Sequence, residues 1–381
     1  MFEYGLEAFL KDPTMHGRVG LITNHTGRDR HGVHLADRLL PHPHLMLTRI
    51  FSPEHGFGSD APDGEPVGNS LFKQHVPIVS LYGTKKAPDA EDLQDIDLLV
   101  FDIQDVGVRF YTYISTLRNV LEAAATHGIP VHILDRPNLL GGTIIEGPML
   151  TPGYESFVGH LPIPLRYGLT PAELAGWWNQ TLPRPAPLVP WKCSGYHRSS
   201  SFSQLGIPWC KPSPSMATPE TAKFYPGTCL FEGTNVSEGR GSDAPFQILG
   251  APWVVPLLWL ETLTPLLPDS VTAETVEFTP TFSKFQGEPC SGIKVSTSEP
   301  IFPEAVELGI ALLHSLMKSH PGMVAFPRLG NRPHLFFDLL AGNSWLREGL
   351  EEGLTPGDLF ARGQEETRPF ADQIESFWLY R

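Results

Sequence analysis

Five short loops within the first 140 residues carry side chains that could do chemistry. Each loop follows an apolar or β-branched run with the length of a strand. Turns favour Asn, Asp and Gly for conformational reasons, but the acids, imidazoles, guanidinium groups and amides spread over these loops exceed that need. The carboxyl ends of parallel strands meet at one edge of a sheet, so the loops predict a single ligand site. They are Asn24-His25-Thr26-Gly27, Ser52-Pro53-Glu54-His55-Gly56-Phe57-Gly58, Tyr82-Gly83, Gln104-Asp105-Val106-Gly107 with Arg109 beyond it, and Asp135-Arg136-Pro137-Asn138.

Glu54 is the first candidate for proton transfer, because turns prefer Asp or Asn and a long carboxylate at a strand end can reach a ligand. The alternative is a solvated turn carboxylate, and the neighbouring His55 could instead tie one loop to another. Asp105 lies past the end of its strand and is placed to face a cleft. Arg109 opens a helix, where a cation opposes the helix dipole, so it serves either Asp105 or an anionic ligand.

A second candidate segment is rich in glycine and lies further along the chain. It consists of Glu232-Gly233-Thr234-Asn235-Val236-Ser237-Glu238-Gly239-Arg240-Gly241. Glycines let the backbone approach a ligand closely, and Asn235, Glu238 and Arg240 stand among them. Together with the strand-end loops, this segment favours an otherwise uncharged polar ligand that carries a carboxylate, such as an acidic sugar.

Several familiar site motifs are absent from the sequence. No G-x-G-x-x-G follows the first strand and no G-x-x-x-x-G-K-[ST] occurs, so nucleotide binding lacks its phosphate cradle. The patterns H-E-x-x-H and G-x-S-x-G are missing as well, which argues against a zinc peptidase and a hydrolase with a nucleophile elbow. We therefore expect no cofactor and no metal.

The composition describes a globular protein with a large core. Apolar residues make up 41% of the 381 residues and charged residues only 18%, and this length favours two domains. Lys and Arg number 28 against 42 for Asp and Glu, a net charge of −14. A surface that is so acidic repels phosphate backbones, which argues against nucleic acid as a partner.

Neither a membrane span nor an export signal is visible in the sequence. No stretch approaches the roughly 18 to 20 apolar residues of a transmembrane helix, and MFEYGLEAFLKDP lacks a basic region followed by an apolar one. We expect a cytoplasmic protein, with an extracytoplasmic location open if the sequence is trimmed; no oligomeric state is indicated. The four widely spaced cysteines predict buried thiols rather than zinc ligands or disulfides; they are Cys193, Cys210, Cys229 and Cys290.

The first 250 residues follow a βαβ pattern that becomes looser after residue 140. Runs such as DLLVFDI are apolar on both faces, which is typical of a parallel sheet covered by helices on both sides. The pattern predicts a Rossmann-like, doubly wound α/β domain over residues 1–250. Its predicted strands are 18–23, 45–51, 77–81, 97–103 and 130–134, and its predicted helices are 33–40, 89–94, 110–127 and 171–179, the last capped by Thr170 with Pro171 in its first turn.

The pattern changes after Ala251 and predicts a smaller α+β domain over residues 251–381. Two strand-like segments and several amphipathic helices follow one another there. The expected elements are a helix near 254–262, strands at 275–282 and 291–296, a helix at 303–319 and further helices to the end.

Long strings in the chain resemble a bacterial family first described as DUF1343. The strings include GLITNHTG, FSPEHGFG, VFDIQDVGVRFYTYI, LDRPNLLGG and YPGTCLFEGTNVSEGRGSDAPFQILGAPW, in order across most of residues 17–300. This family contains exo-β-N-acetylmuramidases of the NamZ type, glycoside hydrolase family 171. The resemblance implies release of N-acetylmuramic acid from the non-reducing end of peptide-free peptidoglycan fragments, during cell-wall turnover or recycling. It also implies a Rossmann-like domain whose cleft the C-terminal domain covers.

The resemblance also suggests roles for the candidate residues. Cleavage of a glycoside needs an acid and usually a second carboxylate; Glu54 would be the acid and either Asp105 or Glu238 its partner, unless the 2-acetamido group of the sugar replaces the partner. Arg109 or Arg240 would hold the lactyl carboxylate. The remaining substrate-binding candidates are Tyr82, Tyr111 and Trp253 as stacking faces, with Asn24, His25, His55, Gln104, Arg136 and Asn235 as polar contacts. The chain departs from the family at PSPSMAT, where members tend to have a PSPN-like string, around Ser215.

Two other functions remain open at this point. A metal-dependent hydrolase could use His25, Glu54, His55 and Asp105 as ligands, although no motif spacing supports it. A cell-wall sugar-binding protein without catalysis could use the same fold, since fold alone does not determine function.

Overall fold

The computed structural model describes residues 2–58 and 68–381 and contains a seven-stranded sheet in the order β3-β4-β2-β1-β5-β6-β9. Neighbouring strands are parallel except for the pair β3 and β4. The strands of this sheet are β1 Gly17–Thr23, β2 Leu45–Ser52, β3 Ser70–Phe72, β4 Val76–Ser80, β5 Leu98–Asp102, β6 Val131–Leu134 and β9 Leu188–Trp191. A two-stranded antiparallel sheet consists of β7 Glu146–Met149 and β8 Pro164–Arg166, and a three-stranded one of β10 Ile248–Ala251, β12 Cys290–Thr297 and β11 Val271–Phe278.

Eleven α-helices accompany these strands in the described part of the chain. In the N-terminal half they are α1 Gly5–Lys11, α2 Leu35–Leu39, α3 Ala90–Leu93, α4 Tyr113–His127 and α5 Pro171–Thr181. The others are α6 Pro219–Thr228, α7 Pro256–Leu263, α8 Ala305–Ser319, α9 Phe336–Ala341, α10 Trp345–Glu352 and α11 Pro356–Ile374. Short 3₁₀ segments occur at Phe202–Leu205, Cys229–Gly233, Thr264–Leu266 and Glu375–Phe377.

Both faces of the central strands are buried. Leu21 and Val100 belong to a cluster with α1 and α2, whereas Ile22 and Leu99 belong to a cluster with α4 on the opposite face. Alternate side chains of one strand therefore enter two different cores, which explains the continuous apolar runs in the sequence. The doubly wound, Rossmann-like prediction is confirmed.

Most of the predicted elements occur within a few residues of their expected limits. Helix α5 begins as expected, because Thr170 accepts a hydrogen bond from the backbone N–H of Glu173 and Pro171 occupies the first turn. Helix α4 starts three residues later than predicted. The sequence interpretation missed α1, α6, β3, β9 and β10, together with the β7–β8 pair; all are short or interrupted by proline.

The C-terminal region is built around the antiparallel sheet and helix α8. Helix α6 packs on α8, and α11 packs on β7. One apolar cluster is continuous from the N-terminal sheet into this region. The predicted domain boundary, between residues 250 and 251, falls within strand β10.

No helix among the described residues is long and apolar enough to cross a membrane. All four cysteines are free thiols. Cys193, Cys229 and Cys290 are buried, and Cys210 is half-buried.

Candidate active site

A cavity of about 610 Å³ lies where loops at the carboxyl ends of β2, β4 and β5 meet the C-terminal region. Its wall combines carboxylates, cations and many aromatic rings. The carboxylates are Glu54, Glu155 and Glu232, the basic side chains are His55, Arg240, Arg332 and His334, and the rings are Tyr82, Phe110, Tyr111, Tyr113, Phe157, Tyr225, Phe246 and Phe336. Such a mixture of apolar faces and a few polar groups is typical of a site for a small ligand.

The turn after β2 places Glu54 in this wall. The backbone N–H of Gly56 donates to Pro53 O at 3.0 Å, and His55 adopts a left-handed conformation with φ of 68°. Non-glycine residues in that conformation are uncommon and cluster at functional sites. Only 8% of Glu54 is exposed, and the Thr112 hydroxyl donates to its Oε2 at 2.6 Å. Since Thr112 directly precedes α4, helix and turn together fix the carboxylate.

Arg240, from the glycine-rich segment 232–241, lies in a network of polar side chains. Its Nη2 donates to Oε1 of Glu232 at 2.8 Å, its Nε lies 3.3 Å from Oε1 of Glu238, and its Nη1 donates to Ser215 Oγ at 2.7 Å. Lys284 Nζ lies 3.0 Å from the other oxygen of Glu238. The network holds Glu232 at the cavity, and Ser215, at the departure from the family pattern, takes part in it.

Aromatic rings form two groups in the cavity wall. Tyr82 and Phe157 lie 5.4 Å apart between ring centres, and Lys86 Nζ lies 4.2 and 4.0 Å from these centres. Tyr111 meets Tyr113 edge to face at 5.0 Å. Trp253 does not line the cavity; it packs against His320.

Five of the residues predicted for the site line the cavity; besides Trp253, eight others do not. The five are Glu54, His55, Tyr82, Tyr111 and Arg240. The eight outside the lining are Asn24, His25, Gln104, Asp105, Arg109, Arg136, Asn235 and Glu238.

Some of the residues outside the cavity lie instead at the crevice between β1 and β5. Connections leave the sheet in opposite directions there, which is the usual ligand position in such folds. Here Phe202, Trp209 and Cys210 line a space of only about 60 Å³ together with Gln104 and Arg136. The segment 202–212 therefore covers the crevice, and the cavity lies to one side, above β2, β4 and β5.

Polar side chains at the covered crevice bind protein atoms. The Gln104 amide donates to Asp105 O and Pro137 O, both at 2.8 Å, and Arg136 Nε donates to Asp102 Oδ1 at 2.6 Å. The side-chain Oδ1 of Asn24 accepts a hydrogen bond from the backbone N–H of Thr26 at 3.0 Å. In the same region, His25 Nε2 lies 2.6 Å from Lys211 O in the covering segment.

Arg109 and Asn235 connect segments that lie far apart in the sequence. Arg109 is fully buried, and its guanidinium donates to Pro148 O and Ile163 O at 2.8 Å each, and to Leu340 O and Ala341 O at 3.1 and 2.6 Å. Burial lowers its pKa to about 9, so it stays protonated at neutral pH. Asn235 holds the chain after α8, donating to Met323 O at 3.0 Å and accepting from Ala325 N at 2.8 Å.

Asp105 is buried and lies outside the cavity lining. It accepts hydrogen bonds from the Tyr167 hydroxyl and from Gly107 N, the latter at 2.8 Å. These bonds favour the ionised carboxylate, but burial outweighs them and raises its pKa to about 7.

The raised pKa of Asp105 predicts that stability falls with rising pH. The unfolded carboxyl ionises near pH 4, so between about pH 4 and 7 the folded state binds more protons than the unfolded state. The contribution of this group to the free energy of unfolding should therefore decrease by up to about 1.4 kcal/mol per pH unit. Urea unfolding of the wild type and Asp105→Asn at pH 5, 6, 7 and 8 measures the difference; parallel pH curves would contradict the assignment.

Sequence reasoning missed several cavity residues. Glu232 lies in the glycine-rich segment but was not chosen from it, and Thr112 follows the motif that contains Arg109. The loop with Arg332 and His334 carries the string PRLGNRPH, whose prolines and glycine indicate an ordered turn. This composition is the one sign in the sequence that the loop is ordered. The spacing of the residues does not connect the loop to a site more than 200 residues earlier.

The four side chains considered as metal ligands are not brought together. Glu54 and His55 line the cavity, whereas His25 and Asp105 do not. In the described ranges 2–58 and 68–381, no three His, Cys, Asp or Glu side chains form a group that could hold a metal ion.

Comparison with family models decides the relationship. Residues 19–220 match the N-terminal model, and residues 223–380 the C-terminal model, of the exo-β-N-acetylmuramidase NamZ. The chain belongs to the NamZ family. The two NamZ models meet between residues 220 and 223, close to the start of α6.

Relatives of this chain agree with the NamZ assignment. It is 41% identical over 364 residues to the peptidoglycan β-N-acetylmuramidase NamZ of Bacillus subtilis, covering 95% of this chain and 87% of the relative. Two solved structures of DUF1343 family proteins from Bacteroides fragilis are each 31% identical and cover all of this chain and 99% of theirs, with TM-scores of 0.90 and 0.78. The NamZ resemblance seen in the sequence is confirmed.

Proposed function

We propose that this chain is an exo-β-N-acetylmuramidase that releases N-acetylmuramic acid from the non-reducing end of peptide-free peptidoglycan fragments. The observation that carries the proposal is the cavity at the sheet edge, where Glu54 is fixed by Thr112 and Glu232 by Arg240. Two carboxylates in one cavity are the basic requirement of most glycosidases. The family relationship supplies the substrate class.

Glu54 is the general acid in this proposal. As the bond between the anomeric carbon and the leaving oxygen breaks, the carboxyl group of Glu54 donates its proton to that oxygen. The hydroxyl of Thr112, 2.6 Å from Oε2, orients the carboxyl group. A fixed orientation matters because proton transfer requires the donor within hydrogen-bond distance of the leaving oxygen.

Glu232 is the second carboxylate. It belongs to the part of the chain that matches the C-terminal family model. It acts on the anomeric carbon either directly or through a water molecule, according to the separation of the two carboxyl groups. Arg240 holds it through Nη2, and Glu238 in turn orients Arg240. Glu238, one of the two partners suggested by the sequence, thus supports the site from outside the cavity wall, whereas Asp105, the other, contacts none of these side chains.

The covering of the cavity agrees with action at a chain end. The C-terminal region contributes part of the cavity wall, in addition to the strand-end loops. Its lining residues are Leu329, Arg332, Pro333, His334 and Phe336. A terminal sugar enters such an enclosure, whereas an internal sugar with chain on both sides needs an open groove. The aromatic rings provide apolar faces for the pyranose ring.

A pair of chromogenic substrates tests the proposal. We expect release of the chromophore from a β-N-acetylmuraminide and at least about tenfold slower release from the matching β-N-acetylglucosaminide, because only the first carries a lactyl carboxylate to bind. Initial rates at equal substrate concentration measure this. Equal rates, or hydrolysis of the glucosaminide alone, would reject the proposed specificity.

A further inference from the structure

A second arginine enters the cavity wall from the covering loop, defined here as residues 321–335 between α8 and α9. Arg332 is exposed and lines the cavity. Its guanidinium carbon lies 5.9 Å from the ring centre of Phe336. Across residues 2–58 and 68–381, no ion pair to Arg332 is formed. This cation is therefore available to an anionic ligand.

The covering loop is attached to the rest of the protein at two points and braced internally at a third. Asn235 binds its beginning through Met323 O and Ala325 N. Arg328 Nη1 donates to Arg332 O at 2.6 Å and to Pro333 O at 2.9 Å. His334 Nε2 lies 3.0 Å from Gly153 O, and its ring stacks on Tyr154 at 4.1 Å. The backbone around Arg332 is thus fixed against the N-terminal domain, which limits the positions that its side chain can reach.

The charges of the wall favour Arg332 over the other cations. Arg240 also lines the cavity, but Glu232 and Glu238 both pair with it and compensate its charge. Lys86 lies over the Tyr82 and Phe157 rings. With three carboxylates in the wall, an anionic sugar needs a cation whose charge is not already compensated.

We propose that Arg332 binds the lactyl carboxylate of the muramyl residue and sets the preference for muramic acid over glucosamine. The inference rests on the proposed function and adds the residue that selects the substrate. A guanidinium group suits this task because its planar N–H groups form two parallel hydrogen bonds to a carboxylate. The binding group then comes from the covering loop, while the acid comes from the parallel sheet.

The test compares a chromogenic β-N-acetylmuraminide with the same compound after conversion of its carboxyl group to a carboxamide. Arg332→Gln should lower kcat/KM for the acid by about 10- to 100-fold, as expected for a charge-assisted hydrogen bond, and change the carboxamide less than about threefold. Arg332→Lys keeps the charge but loses the paired geometry, so it should recover part of the loss. Titration calorimetry with free N-acetylmuramic acid and its carboxamide gives the same comparison without turnover.

Two control variants separate selection from structure. Arg368→Gln removes an exposed charge on α11, outside the cavity, and should leave both substrates unchanged. Arg328→Gln loosens the covering loop and should weaken both substrates alike. Equal losses on acid and carboxamide in Arg332→Gln, or no loss on the acid, would overturn the proposal. If the wild type hydrolyses neither muraminide, the proposed function fails instead, and calorimetry still decides the role of Arg332.

Discussion

Replacing Glu54 with glutamine is expected to lower kcat on a muraminide by about two to four orders of magnitude, the usual contribution of general acid catalysis. Glutamine keeps an oxygen that can accept the Thr112 hydrogen bond, so the turn after β2 should keep its shape. The change removes only the transferable proton. Single-turnover rates of the wild type and Glu54→Gln measure the effect directly.

Glu155→Gln is the matched control, because Glu155 is an exposed carboxylate in the same cavity wall. Its Oε2 accepts from Gly153 N at 2.7 Å, a bond that glutamine can preserve. We expect this variant to retain kcat within about threefold, a change well below that of losing the acid. Near-normal turnover of Glu54→Gln would remove Glu54 from the mechanism. If Glu54→Gln and the wild type bind muramyl sugar equally and the wild type itself shows no turnover, a sugar-binding protein would be favoured.

Replacing Arg109 with methionine is expected to lower the free energy of unfolding by about 3 to 5 kcal/mol, because several buried acceptors lose their donor at once and each one left unsatisfied costs about 1 to 3 kcal/mol. The four carbonyl oxygens that Arg109 binds would stay buried without their donor. They belong to β7, to the segment before β8 and to the end of α9. The variant should therefore loosen the junction between the two regions.

Urea unfolding monitored by circular dichroism tests this expectation. Arg368→Met, a change of the same type at an exposed position, should alter the free energy of unfolding by less than about 0.5 kcal/mol. The family resemblance suggested Arg109, as an alternative to Arg240, for binding the lactyl carboxylate. Unchanged stability together with a raised KM for muraminides would restore that role.

Much of the parallel sheet could be predicted because its physical signals are local. The run from Leu98 to Asp102 is apolar on both faces, and such a run needs cover on both sides wherever it occurs. Thr170 and Pro171 likewise mark the start of α5 by chemistry that acts within one turn. Strand β9 carries a proline and weak alternation, and contacts with β6, α1 and α5, which are distant in the sequence or lie on other elements, stabilise it.

The candidate site was predictable only in part, because its composition depends on long-range contacts. That Glu54 and Tyr82 would follow strand ends could be inferred from the sequence. That residues 202–212 cover the crevice beside Gln104 and Arg136 depends on packing that no local pattern records. Arg109 illustrates the same limit, since its partners at residues 340 and 341 lie more than 200 positions away.

Product analysis on defined glycan ends tests the central claim most directly. Two peptide-free peptidoglycan fragments of equal length are needed, one with N-acetylmuramic acid and one with N-acetylglucosamine at its non-reducing end. Mass spectrometry should find free N-acetylmuramic acid and a fragment one sugar shorter from the first substrate, no early product from the second, and neither product with Glu54→Gln. Internal cleavage, release of N-acetylglucosamine, or equal release by Glu54→Gln would contradict an exo-acting site built on Glu54.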